Sequence, residues 1–233
     1  MNQEIDLNCD LGEGGSTDED LMLIITSANI CCGAHAGSIA DSQRALQLAQ
    51  RYGVRVGCHP GYPDRDYFGR RELELAPAQV FELCHEQVAH LAQLAAREGV
   101  ALAYLKPHGG LYHQACRDTE IAQVIVNVAS NFQLAVMGLP GSVLQTQAQH
   151  RCPFIAEGFA DRRYQKNGSL IPRTQADAFV ATPQEAVLQV AQLVHDAGVR
   201  SICVHGDNPA ALAFVRAVRN SLETAGFLIR ASL

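Results

Sequence analysis

Short apolar runs alternate along this chain with stretches whose apolar residues recur every three or four positions. The runs are Glu4–Cys9, Ser27–Cys32, Val54–Cys58, Ala101–Lys106, Leu134–Gly138, Phe154–Glu157 and Ser201–His205. Several are apolar nearly throughout, as strands covered on both faces are. Between Pro77 and Arg97, Val80, Phe81, Cys84, Val88, Leu91 and Leu94 share one helical face. Thr182-Pro183-Gln184-Glu185 reads as a capping box with proline at the first helical position, and Gly198 closes that helix. Asn208-Pro209 opens a last helix in the same way and Gly226 ends it. The alternation predicts a parallel sheet with helical crossovers in a single domain over residues 1–233. Seven strands can close as a distorted (β/α) barrel or stay open and doubly wound.

The polar residues favour the barrel, because they gather where strands end. The first strand runs into Asp6, Asn8, Asp10 and Glu13; the second leads to His35 and the third to His59. The fourth gives Lys106 and His108, the sixth Glu157 and Asp161, the seventh His205 and Asp207. In a parallel barrel these ends converge on one face, the face that carries active sites in this architecture. Carboxylates beside imidazoles can hold a divalent metal or divide general acid and base roles. A lysine among them can neutralise developing negative charge. His85, His90 and His195 lie in helical stretches and read as solvated or helix-packing residues.

Composition narrows the classes. The chain has 233 residues and a net charge of −6, which argues against a general binder of nucleic acid or anionic membrane. No apolar stretch approaches the roughly 20 residues of a membrane span. The start, MNQEIDLN, lacks the basic and apolar regions of a signal peptide, so a cytoplasmic location is expected. The eight cysteines form no C-x-x-C pair and read as reduced, structural thiols. Cys32 and Cys58, each close to a histidine, are the places for a catalytic thiol if there is one.

Basic residues cluster in two loops: Arg70 and Arg71 after the third strand, and Arg162, Arg163, Lys166 and Arg173 in the long connection from Asp161 to Ala181. Arginine suits a carboxylate or phosphate bidentately, although loop charge is often only solvated. No G-x-x-x-x-G-K-[ST] occurs, and Gly138-Leu-Pro-Gly141-Ser142 reads as a plain turn more readily than as a phosphate loop.

The blocks NCDLGEG, ANICCGAHAGS, GCHPGYPDRDYFGRR, LKPHGGLYH, FADRRYQKNGSLIPR and CVHGDNP, in that order, resemble those of the LamB/YcsF family across about residues 4–216. The resemblance implies a seven-stranded (β/α) barrel related to the glycoside hydrolase/deacetylase fold. It also implies the A component of an ATP-dependent 5-oxoprolinase, which opens 5-oxoproline to glutamate with two further subunits, B and C. Mg²⁺ is the usual companion of ATP. Ala34, Ser38, His113 and Asn167 depart from the family pattern, and the connection from Ala197 to Ser201 is short. On this basis Asp10, Lys106, His108, His205 and Asp207 are the catalytic candidates. Asp10 or Asp207 would position or activate water, and His108 or His205 would carry the proton. Asn8, His35, His59, Arg70, Tyr112, Asp161, Arg162 and Arg173 are candidates for binding substrate or phosphate. One alternative is a metal-dependent hydrolase or deacetylase holding its ion on Asp10, His59 and His108. Another is a non-catalytic subunit that presents substrate to its partners.

Overall fold

A computed structural model describes residues 4–205 and 211–231. In chain order its elements are β1 (Glu4–Leu11), α1 (Asp18–Met22), β2 (Ser27–Cys31), α2 (Ile39–Tyr52), β3 (Arg55–His59), α3 (Pro77–Arg97), β4 (Leu102–Leu105), α4 (Gly109–Arg117), α5 (Thr119–Asn131), β5 (Ala135–Gly138), α6 (Val143–Ala148), β6 (Phe154–Phe159), α7 (Pro183–Ala197), β7 (Ser201–Cys203), α8 (Ala211–Thr224) and β8 (Leu228–Ile229). Strands β1 to β7 pair in sequence order and all in parallel, and β1 pairs with both β2 and β7, so the sheet closes. The expected seven-stranded barrel is therefore the fold. An eighth strand, which the sequence pattern did not suggest, adds to the lower part of β1 through Glu4–Leu228 and Ile5–Ile229.

The period-two pattern of β1 decides what lies inside. Ile5, Leu7, Cys9 and Leu11 face outward into the main apolar core under the helices. Asp6, Asn8 and Asp10 take the other face and line the lumen, where their bonds are made. Asp6 accepts from Thr26 (2.6 Å), Ser27 (2.7 Å) and Ser201. Asn29 donates to both Asn8 and Asp10 at 2.7 Å and accepts from the Tyr104 hydroxyl at 2.7 Å. Tyr104 lies across Gly57, where a Cβ would meet its ring at 2.1 Å. The lumen is thus filled by a hydrogen-bonded polar column with a small apolar plug of Tyr104, Ala135, Met137 and Ile155.

Outside, α3 buries Val80, Cys84, Val88, Leu91 and Leu94, as its periodicity requires. Helix α7 begins at Thr182, whose hydroxyl accepts from the Glu185 backbone N–H. The reciprocal half of the expected capping box differs: Glu185 accepts from Ala181 N–H, one residue upstream of the cap. Gly198 ends α7 in the left-handed region at φ 64°. The Asn208-Pro209 helix start lies outside the described residues. No helix among the described residues is long and apolar enough to cross a membrane.

Candidate active site

The C-terminal ends of the strands open into a cavity of about 840 Å³. Asp10, His59, Lys106, His108 and His205 line its depth, with Tyr112 and Phe159 beside them. Lys106 follows β4 directly and points inward, 2 % exposed. Its ammonium lies 3.1 Å from Asp10, 2.7 Å from Glu157 and 3.3 Å from the Asn8 carbonyl oxygen. Burial alone would lower Lys106, but Asp10 and Glu157 outweigh it and raise it well above the usual lysine value. Burial pushes Asp10 up, while His59 and Lys106 prevail and hold it well below the usual carboxylate range. Both groups are therefore charged at neutral pH. Glu157 is fully buried; the amino-acid pattern marks it only as a strand-end residue, with no role of its own. The Tyr112 hydroxyl faces it.

Two imidazoles stand beside Asp10. His59 Nδ1 donates to the Lys106 carbonyl (2.8 Å), and His108 Nε2 donates to the Phe68 carbonyl (2.8 Å). Their inner nitrogens, His59 Nε2 and His108 Nδ1, then face each other at 2.9 Å. Two lone pairs cannot share that distance, so one proton or one cation lies between them. Burial and then the neighbouring His35 and His59 push His108 well below the ordinary histidine value. Asp10 Oδ2 lies 3.3 Å from His59 Nε2, beside the same pair.

His35 does not reach the floor. It is fully buried behind His108, with the two rings stacked at 3.8 Å, and it bonds Glu13 at 3.1 Å. Burial opposes its charge, but the Cys31 sulfur and Glu13 raise it to about 9. Gly61 and Gly69 hold this stack: a Cβ at either would come within 2.6 Å of His35. Phe68, which presents the carbonyl to His108, has φ 56°, a left-handed conformation that non-glycine residues adopt rarely and at functional sites. Asn8 likewise sits beneath the floor, fully buried.

Across the cavity, His205 Nδ1 bonds Asp161 at 2.8 Å, and its ring stacks on Phe159. Burial pushes Asp161 up, but His205 and Arg173 hold it below the usual carboxylate range. Asp161 therefore orients His205, whose Nε2 is left for the cavity. The long connection after β6 folds over the mouth through bridges between Arg162 and Phe179 and between Tyr164 and Leu170. It contributes Arg162, Asn167 to Leu170, and Arg173 to the wall, joined by Arg70 from the loop after β3. Asp207, the remaining catalytic candidate, lies outside the described residues. The thiols of Cys32 and Cys58 are both pushed up by burial, which disfavours the nucleophilic thiolate either would need.

The donor set proposed for a metal can be tested on this geometry. Asp10, His59 and His108 offer one carboxylate and two imidazoles whose outer nitrogens rest on carbonyls, as ligating histidines require. Glu13 lies 3.6 Å from His108 Nδ1. His35 belongs to the same cluster of potential ligands, but its ring is parallel to that of His108 within 2°, so the two cannot direct in-plane lone pairs at one ion. Asp10, His59 and His108 fit a divalent cation, with Glu13 next in line.

A family model described as "LamB/YcsF family" matches residues 5–232. This chain belongs to that family. LamB/YcsF relatives that carry the name of the A component of 5-oxoprolinase are 42 % identical in Neisseria meningitidis serogroup C (98 % of this chain, 100 % of the relative) and 38 % identical in Histophilus somni (99 % and 100 %). A lactam utilization protein from Thermus thermophilus, known by crystal structure, superposes with a TM-score of 0.91 at 34 % identity, covering 99 % of this chain and 100 % of that one. A family 4 carbohydrate esterase from Streptomyces lividans shares the fold, with a TM-score of 0.55 at 14 % identity over 98 % of this chain and 92 % of that one. Two departures from the LamB/YcsF pattern have local explanations. The Ser38 hydroxyl caps α2, accepting from Asp41 N–H at 3.2 Å. Asn167 closes a loop tip, accepting from the Ser169 N–H and hydroxyl. His113 instead stands in the cavity wall near the arginines.

Proposed function

We propose that this chain is the A component of an ATP-dependent 5-oxoprolinase. It opens the lactam of 5-oxo-L-proline to L-glutamate, together with subunits B and C, with ATP and Mg²⁺ supplying the driving force. The observation that carries the reading is the floor itself: a fixed ammonium between two carboxylates, with imidazoles on both sides. The names of the relatives point to the same substrate class.

Lactam opening adds water across the amide C–N bond; oxygen goes to carbon and a proton to nitrogen. Lys106 is placed to stabilise negative charge on the carbonyl oxygen without moving when it develops. His205, held by Asp161, takes the proton of the attacking water. Asp10 is too weak a base for that step and instead positions the water and the His59 ring. The His59–His108 pair holds the proton that the departing nitrogen needs. The arginines of the wall receive the substrate carboxylate.

The test is formation of glutamate from 5-oxoproline and ATP by the full assembly, and by this chain alone. Turnover is expected in the assembly and is lost with Asp10→Asn and His205→Gln while the fold persists. Undiminished turnover with both variants would overturn these roles.

The space between the two inner imidazole nitrogens favours one second reading, a metal-dependent hydrolase. There Asp10, His59 and His108 would hold a divalent ion that polarises the carbonyl or activates water. Metal analysis of the purified chain, with activity before and after chelation, separates the readings. Activity unchanged by thorough chelation of protein-bound metal, with excess Mg²⁺ restored for ATP, removes the second.

A further inference from the structure

The apolar stripe of α3 has a polar member. Val80, Cys84, Leu91 and Leu94 run along its buried face, and the same spacing puts Gln87 among them, 8 % exposed. Both ends of its amide bond one residue. Gln87 Oε1 accepts from the Gly61 N–H at 3.1 Å, and its Nε2 donates to the Gly61 carbonyl at 2.9 Å. Only this orientation of the amide satisfies both contacts. Gly61 lies two residues past the end of β3, and among the described residues it has no backbone partner. A side chain from the outer ring of helices therefore does for this loop what a neighbouring strand does for β3.

Gly61 in turn lies against the imidazole stack. A Cβ there would meet His35 Nδ1 at 2.6 Å and His108 Cβ at 3.1 Å. The preceding carbonyl, of Pro60, accepts from the His108 backbone N–H at 2.8 Å. The following residue, Tyr62, is fully buried, and its hydroxyl donates to Gln114 on α4, the helix that His108 caps. Residues 60–62 are thus tied to α3 on one side and to His108 and α4 on the other.

We infer that Gln87 is a positioning residue for His108, acting through the Gly61 loop although it does not itself line the cavity. Without its amide, two backbone groups of a buried loop lose their partners, and such groups recover bonds by moving. A shift of residues 60–62 draws the Pro60 carbonyl away from His108 and alters the 3.8 Å stacking on His35. The 2.9 Å approach of His108 Nδ1 to His59 Nε2 and the bond to the Phe68 carbonyl then loosen together. The effect on rate rests on the lactam reading, in which this imidazole pair supplies the proton to the departing nitrogen. Reacting groups tolerate little misplacement, so the loss falls on kcat while substrate binding is kept. The geometry stands without that reading.

The experiment uses Gln87→Met, which keeps the length and removes both bonds, and Gln87→Glu, which keeps the acceptor for the Gly61 N–H. Turnover of 5-oxoproline with ATP is measured in the full assembly. The histidine ring resonances of the isotope-labelled full chain are recorded by NMR, with His59→Gln and His108→Gln to assign them. For Gln87→Met, kcat is expected to fall about tenfold or more with KM within about twofold of wild type, and the His59 and His108 resonances to shift. Gln87→Glu is expected to lie between Gln87→Met and wild type, and it carries the comparison alone if Gln87→Met does not fold. Unshifted resonances, wild-type kcat or a loss confined to KM would each overturn the inference and leave Gln87 a stabilising residue only. If the wild-type assembly makes no glutamate, the lactam reading falls and the resonances alone decide. Shifted in the variants, they keep Gln87 as the positioning residue of His108; unshifted, they remove it.

Discussion

Lys106 places one ammonium between the carboxylates of Asp10 and Glu157, all three side chains buried. Removing one member of a buried charge group leaves the others unpaired, at a cost of about 3–5 kcal/mol. Lys106→Met should therefore lower stability by about that amount in urea unfolding, and abolish turnover. Glu157→Gln keeps the shape and leaves Lys106 with Asp10, so stability should fall less while kcat drops about tenfold or more. Wild-type kcat in Glu157→Gln would show that Asp10 alone sets the lysine. His113 gives a pH prediction. Its folded value, about 4, lies below the ordinary 6.5, so between these the unfolded chain binds a proton that the folded chain refuses. Stability then falls as pH drops from about 6.5 towards 4. His113→Asn removes that proton and should gain on the order of 1 kcal/mol over wild type at pH 5, with the difference vanishing at pH 8. Equal unfolding midpoint differences at both pH values would refute it. Lys106 and His108 were legible as site residues because their two-residue spacing puts them on one side of a continuing strand. Glu157 was not, because burial and a partner from another strand are properties of the closed barrel.

Among the elements, the clearest dependence of site on scaffold is the imidazole stack. Gly61 and Gly69 flank His35 so closely that either Cβ would displace it, and His35 carries the face against which His108 rests. Gly61→Ala should leave the barrel folded, with far-ultraviolet circular dichroism unchanged, and lower kcat about tenfold or more by tilting His108 off the Phe68 carbonyl. Retained activity would mean that the stack is packing only. Gly57→Ala differs in kind. Its Cβ meets the buried Tyr104 ring inside the lumen, so the expected loss is stability, about 1–3 kcal/mol. The strands and α3 could be read from the sequence because periodicity reports which face is buried. The alternation in β1 even separates core from lumen residues. The pairings His59–His108 and Asp161–His205 could not be read, since each joins elements whose lateral placement depends on loops. The same limit applies to β8, a two-residue strand with no periodicity to show.

At the scale of the whole molecule, closure rests on β1. Its upper half pairs with β2, its middle with β7, and its lower end with β8. Family blocks spread from Asn8 to Arg173 lie around one cavity because that ring is closed, and their order in the sequence carried the fold class. Ending the chain at Arg200 should leave Asp6, Leu7 and Asn8 without their β7 partners. The shortened chain should lose its cooperative urea transition; a sharp transition near the full-length midpoint would show that six strands suffice. The β1 pairings also bear on how the protein is made. The first strand leaves the ribosome early, yet residues near 203 and 229 supply two of its neighbours. Such contacts join positions far apart in the sequence, and they slow folding because loop closure must precede them. Throughout synthesis Asp6, Asn8 and Asp10 wait on an open edge, beside the apolar Ile5, Leu7 and Cys9. The ring that will carry the candidate site is, until its last strands emerge, an unpaired edge that chaperones or earlier helices must shield.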